Sequence, residues 1–292
     1  MKIVKILFCF FVIISTDVYN QNQSGSPVDF VNPLVGSDSA FELSNGNTYP
    51  AIATPWGMNF WTPQTGEMGN GWGYTYDANK IRGFKQTHQP SPWINDYAVF
   101  SLFPETGKLQ INEDERASWF SHKAEISKPH YYKVYLADYD VTTEIVPTER
   151  GAQFQFTFPK TDNAHVLVDG FFKGSMVKVF PKERKVVGYC RNNSGGVPEN
   201  FHNYFVIYFD KDFENIQTWN INKSENLNDK NLKPDLNAEG YHVGAVLSFK
   251  TAENEKITAK VASSFISLDQ AEINLKREIN TDTFEQTKNT LE

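Results

Sequence analysis

Sulfur is scarce in this chain: 292 residues hold two cysteines, Cys9 and Cys190. Cys9 lies in the apolar run near the N-terminus, and removal of that run leaves Cys190 alone in VVGYC. A lone cysteine excludes an intrachain disulfide and a cysteine-built zinc site. In a strand-like run it reads as a buried thiol. Long hydrophobic runs are missing too. Ile6 to Ile14 gives nine apolar residues, about half of the ~18 that a membrane helix needs. No block of Lys and Arg occurs, and 28 basic against 35 acidic side chains leave a net charge of −7. That balance argues against nucleic acid or an anionic membrane as partner. Hydrophobic residues total only 40% while aromatics reach 14%, which argues against a coiled coil, a helical bundle and a disordered chain. What is abundant is flat rings, with 23 Phe, 13 Tyr and six Trp. They point to an all-β protein suited to sugars or other flat ligands.

The first residues read as an export signal. Lys2 and Lys5 precede the Ile6 to Ile14 run, the order of a basic n-region and a short apolar h-region. Residues 1–22 are taken as the signal peptide, with cleavage between Thr16 and Gln23 in the absence of an Ala-x-Ala site. Phe8 ahead of Cys9 makes a poor lipoprotein signal. The expected location is therefore the periplasm, the cell surface or the medium.

Strand patterns dominate from residue 27. QFQFTF (Gln153 to Phe158) alternates with period two, PKTDNA gives a turn, and HVLVDG follows as the next strand. Tyr131 to Val146, Tyr204 to Phe209, Tyr241 to Phe249 and Lys256 to Ile266 read the same way. Gly107 in FPETGKL stands where a hairpin turn needs positive φ, and DANK separates WGYTY from IRGF. The Asn-rich segment 215–237 reads as a long exposed loop. This strand density predicts one large antiparallel β-sandwich over residues 27–266. Residues 267–292 differ. Ser267 to Gln270 fits a capping box, and Ala271, Leu275 and Ile279 recur at four-residue spacing, which predicts an amphipathic helix. A second capping box, Thr283 to Gln286, opens another helix, in which the chain stops at Glu292. So short an end helix is marginal alone, and the expectation is that the parent architecture continues.

Four of the six Trp fall between Asn45 and Tyr97, among Gly and Pro and few aliphatics. Trp and Tyr stack on the apolar faces of sugars while keeping a polar handle. Pro90 and Pro92 stiffen the loop that carries Trp93, and Gly residues on both sides of Trp72 allow close backbone approach. His88, in KQTHQP, is either a hydrogen-bond donor to sugar hydroxyls or a satisfied histidine at a strand end. Asp96 is either a site residue or a turn residue bonding to backbone amides. Trp56 and Trp61 read as core or domain-interface residues. Acid–base hydrolysis with an attacking water needs two carboxylates about 6.5–9.5 Å apart. Glu42, Glu67, Asp77 and Asp96 form no close-spaced pair, and no run fits a calcium loop. No catalytic residue and no metal ligand is assigned; the candidate substrate-binding residues are Trp72, His88, Trp93 and Asp96.

VNPLVG (Val31 to Gly36), NTYPAIATPWGMNFWTPQT and above all YDANKIRGFKQTHQPSPWINDY resemble the N-terminal domain of glycoside hydrolase family 92, the calcium-dependent exo-acting α-mannosidases. The likeness runs, more weakly, to SFISLDQAEINLKREI. Two departures stand out. Residues 37–47 read SDSAFELSNGN where many members have a Gly/His-rich loop, and Ala98 stands where Gly is common. The resemblance implies a sandwich of the galactose-mutarotase-like (supersandwich) type, followed by a helical linker and a catalytic (α/α)6 barrel. It further implies that the barrel holds the acid, the base and the calcium ligands, while the sandwich lends loop residues to a mannose pocket. The chain is then expected to be the carbohydrate-contacting domain of an exported α-mannosidase. Its partners would be α-mannosides of N-glycan type and the absent barrel, and it would be inactive alone. The alternative is a standalone lectin-like sandwich.

Overall fold

A computed structural model describes residues 26–38, 48–66, 73–88, 96–193 and 197–291. The export signal, Trp72 and Trp93 lie outside the described residues. In chain order the first strands are β1 (Phe60–Gln64), β2 (Lys80–Ile81), β3 (Gly83–Thr87) and β4 (Ser101–Thr106). A short helix α1 (Glu113–Arg116) precedes β5 (Ser118–Trp119), β6 (Ile126–Lys128), β7 (Tyr131–Leu136), β8 (Val141–Pro147) and β9 (Gly151–Phe158). Then come β10 (Thr161–Asp169), β11 (Ser175–Phe180), β12 (Lys185–Cys190), β13 (Asn203–Phe209) and β14 (Asn215–Ile221). The last elements are β15 (Leu232–Lys233), β16 (Asn237–Gly240), β17 (His242–Thr251), β18 (Glu255–Ser264), α2 (Leu268–Glu278) and α3 (Phe284–Leu291).

Two large antiparallel sheets result. One has the order β1-β3-β4-β10-β17-β14-β15, the other β16-β11-β12-β13-β18-β9-β8-β7-β6, and β2 pairs with β5 as a small ribbon. The sheets bury a shared core. Trp61 of β1 meets Phe154 of β9 edge-on at 5.1 Å, Phe100 stacks on Phe205 of β13 at 4.3 Å, and Phe209 lies 5.9 Å from Phe249 of β17. Each such ring contributes about 1.5–3 kcal/mol by burial. The expected alternation holds in β9, where Phe154, Phe156 and Phe158 face the core. Gln153 and Gln155 point the other way and are still buried. The reason is that α3 covers that face: Gln153 donates to Thr287 Oγ1 at 2.5 Å and to the carbonyls of Asp282 and Thr283.

The two C-terminal helices form as their caps predict. Ser267 Oγ accepts the Gln270 amide at 3.1 Å, and Thr283 and Gln286 bond reciprocally. Ala271 and Leu275 of α2 pack on Val187, Val206 and Ala262. Glu278 fixes the far end of α2 by accepting from Thr148, from the Arg150 amide and from the Arg150 guanidinium at 2.6–2.8 Å. Among the described residues no helix is long and apolar enough to cross a membrane.

Three local expectations change. The Asn-rich segment begins as strand β14, zipped to β17 along its length, because Trp219 and Ile221 sink into the core. Gly107 has the expected positive φ of 81°, but β4 pairs with β3 and β10 and makes no hairpin there. The described part of WGYTY is a turn region, and the strand after DANK pairs with Ser118–Trp119 instead. Cys190 is fully buried in β12, and burial pushes its thiol pKa well up.

Candidate functional site

The site begins on β3. Alternation puts Phe84 and Gln86 toward the nine-stranded sheet and Lys85 and Thr87 on the outer face. Gln86 joins a buried polar network between the sheets. It donates to Ser263 Oγ at 2.7 Å and accepts from Asn203 Nδ2 at 2.7 Å, and Asn203 also donates to the Ala98 carbonyl at 2.8 Å. Asn192 continues the network. Its side chain accepts the Val99 amide and donates to the Val99 carbonyl, and its own carbonyl accepts the Ala98 amide. Residues 96–99 are thereby clamped, and Ala98 is held at φ 51°. A Cβ in that left-handed region costs roughly 1–2 kcal/mol. Gly would escape that penalty.

His88 and Asp96 are brought together by this clamp. Asp96 accepts the His88 amide with Oδ2 at 2.7 Å and the Tyr97 amide with Oδ1 at 2.8 Å. The His88 ring nitrogen Nδ1 stands 3.4 Å from Asp96 Oδ1, too long for a good hydrogen bond. The ring lies flat on Tyr97 (5.1 Å, 6°) and tilts against Phe265 at 4.9 Å. Phe201 closes the cage, edge-on to Tyr97 at 5.3 Å and stacked on Phe265 at 5.1 Å. The His88 side chain is 2% exposed, yet neither ring nitrogen has a hydrogen-bond partner among the described residues. An unanswered buried polar atom costs about 1–3 kcal/mol, so it marks a place where another group is due.

A polar floor lies beside this cage. Tyr49 bonds through its hydroxyl to Thr87 Oγ1, and burial together with the Asp96 charge pushes its pKa up. Lys85 is buried beside Gly73, and burial lowers its pKa against the pull of Asp96 and Glu113. Sequence reasoning missed Tyr49, Lys85, Tyr97, Phe201 and Phe265. Lys85 left a signal, a cation at the centre of a strand otherwise destined for burial. Phe201 and Phe265 left none, being more than a hundred residues from His88.

Of the two remaining tryptophans in this stretch, Trp61 is core, with Nε1 donating to the Gly151 carbonyl at 3.1 Å. Trp56 is fully exposed on a turn at φ 63°. Both Asp96 oxygens are engaged by amides, so this carboxylate braces the loop. Among the described residues no three of His, Cys, Asp and Glu converge to hold a metal ion.

The sequence matches the profile of the glycosyl hydrolase family 92 N-terminal domain over residues 30–264. The chain is similar to a family GH92 inverting mannosidase from Bacteroides thetaiotaomicron VPI-5482, at 42% identity and a TM-score of 0.84. That match covers 90% of this chain and 35% of the other. A second α-mannosidase from Bacteroides thetaiotaomicron, solved in complex with mannoimidazole, is 28% identical with a TM-score of 0.76, covering 90% and 35%. An uncharacterized secreted glycosidase from Arthroderma benhamiae is 22% identical over 142 residues, 46% of this chain and 18% of its own length. The chain thus spans about a third of the solved mannosidases it matches. Its sheets, its helical end and its profile agree: the chain belongs to the glycosyl hydrolase family 92 N-terminal domain family.

Proposed function

We propose that this chain is the substrate-positioning sandwich of an exported α-mannosidase, with hydrolysis of terminal α-mannosides carried by a catalytic barrel that docks on it. The observation that carries this reading is the buried imidazole of His88, with two unanswered nitrogens in a rigid aromatic cage. Such a group offers a preorganised hydrogen bond to a sugar hydroxyl, and the surrounding rings exclude water. In this reading Trp72 and Trp93, which lie outside the described residues, supply stacking faces for the sugar. Inversion needs an acid and a base carboxylate spaced to admit a water; in this reading the barrel supplies both, together with the calcium ligands.

The test is turnover of an aryl α-mannoside. The chain alone is expected to give none, and the chain joined to a family 92 barrel is expected to give turnover. In the joined protein His88→Ala should lower kcat/KM by roughly tenfold to a hundredfold, the value of a lost hydrogen bond of about 1–3 kcal/mol. Turnover by the chain alone would overturn the proposal. Saturable mannose binding without rescue by any barrel would make the chain a lectin-like binding module instead.

A further inference from the structure

A cavity of about 390 Å³ opens where the start of β11, the end of β12 and β16 meet. Its size lies within the ~300–1,000 Å³ of small-molecule sites. Lys173, Arg191 and Lys223 line it together with Tyr189, Tyr241 and one carboxylate, Glu239. Three cations against one anion is an inversion of the chain's net charge of −7. The carboxylate is already engaged, since Glu239 accepts the Tyr189 hydroxyl at 2.6 Å. None of the three cations has an ion-pair partner among the described residues; Lys173 donates only to the Asn193 carbonyl, at 2.8 Å.

The rim is built and rigid. Lys173 and Gly174 both take positive φ, 71° and 109°. A Cβ on Gly174 would lie 2.7 Å from Arg191 Nε, so the guanidinium rests on bare backbone that only glycine provides. The Gly174 amide donates to the Tyr241 carbonyl and the Arg191 amide to the Gly174 carbonyl, at 3.0 and 2.9 Å. Tyr241 is backed by Phe172, and Tyr189 stands edge-on to His202 at 4.6 Å. His202 follows Phe201, a wall of the His88 cage. Arg191 of the cavity precedes Asn192, which holds the backbone of Ala98 and Val99 next to Tyr97 of the cage, so the cavity and the candidate site share one clamped segment.

We propose that this cavity is a subsite for an anionic sugar residue, carboxylated or phosphorylated, of a glycan engaged at the His88 cage. It rests on the carbohydrate reading above for the sugar half of the ligand. The cations would hold the anion and the tyrosines would contact the ring, with hydroxyls meeting Tyr189 and Glu239. Exposed charges act weakly in water and are screened by salt.

Calorimetric titration of the full chain with glucuronic acid, glucose 6-phosphate, inorganic phosphate and methyl α-mannoside tests this. At least one anionic sugar should bind about tenfold more tightly than both methyl α-mannoside and inorganic phosphate, a gap of about 1.4 kcal/mol. The preferred one separates carboxylate from phosphate. Arg191→Gln and Lys223→Gln should each weaken it by roughly threefold to tenfold, and added salt should do the same. Equal affinity for inorganic phosphate, indifference to both substitutions, or no saturable binding of either anionic sugar would overturn the proposal. Turnover of an uncharged aryl α-mannoside by the chain with its barrel tests the mannosidase reading separately, so the two failures are told apart.

Discussion

Two buried carboxyls titrate in opposite directions. Burial pushes the Glu105 carboxyl from 4.5 up to about 8, although the Gln110 amide and Arg116 pull it down. The folded chain then keeps a proton that the unfolded chain gives up, and stability falls as pH rises between about 4.5 and 8. Asp169 behaves oppositely. Burial would raise it, but His242 at 2.8 Å and Arg116 at 2.9 Å hold it at about 2, below its usual 3.8. Its contribution is present above 3.8 and is lost as pH falls from there toward 2. Glu105→Gln, neutral at every pH, should flatten the decline in Tm between about pH 4.5 and 8 and leave the profile below 4.5 unchanged. A Tm profile that keeps its slope across that window in this variant would refute the assignment. At this scale the sequence was partly legible. His88 and Asp96 stand out because Pro90, Pro92 and a run of Gly and Trp surround them. The brace that Asp96 provides, and the Arg116–Asp169–His242 cluster, join residues eight to more than a hundred positions apart and leave no local pattern.

Elements were more legible than residues, because caps and alternation are local. The Thr283 box and the Ala271, Leu275, Ile279 stripe appear in the folded chain, while Ser267 caps α2 but Gln270 turns to Asn274 Oδ1 instead of closing the box. Ser267→Ala removes the acceptor for the Gln270 amide and should cost about 1 kcal/mol in urea unfolding; an unchanged midpoint would mean that α2 is held by Glu278 and Leu275 alone. Segment 215–237 misled because Asn is poor in strands, yet tertiary burial of Trp219 overrides that propensity. Gly244 of β17 makes room for it: a Cβ there would lie 2.0 Å from the Trp219 ring. Neither the partner strand nor that glycine is near Trp219 in sequence.

At the scale of the whole molecule the sandwich class was legible from strand density, while the strand order was not, since nothing local selects a partner a hundred residues away. β18 sits between β13 and β9 in one sheet, and β17 between β10 and β14 in the other. The last two strands of the chain are thus interior to both sheets. A chain ended at Tyr241 should show no cooperative thermal transition and should bind a hydrophobic dye; a folded, smaller sandwich would contradict this. Nonlocal pairing of this kind slows folding. Until residue 264 has been made, β9, β10, β13 and β14 each keep an unpaired edge, the kind of template on which chains aggregate. Biosynthesis therefore meets a constraint that the finished fold conceals. The nascent sandwich is most adhesive just before β18 emerges, and its yield in a cell should depend on chaperone capacity more than on the stability of the closed sandwich.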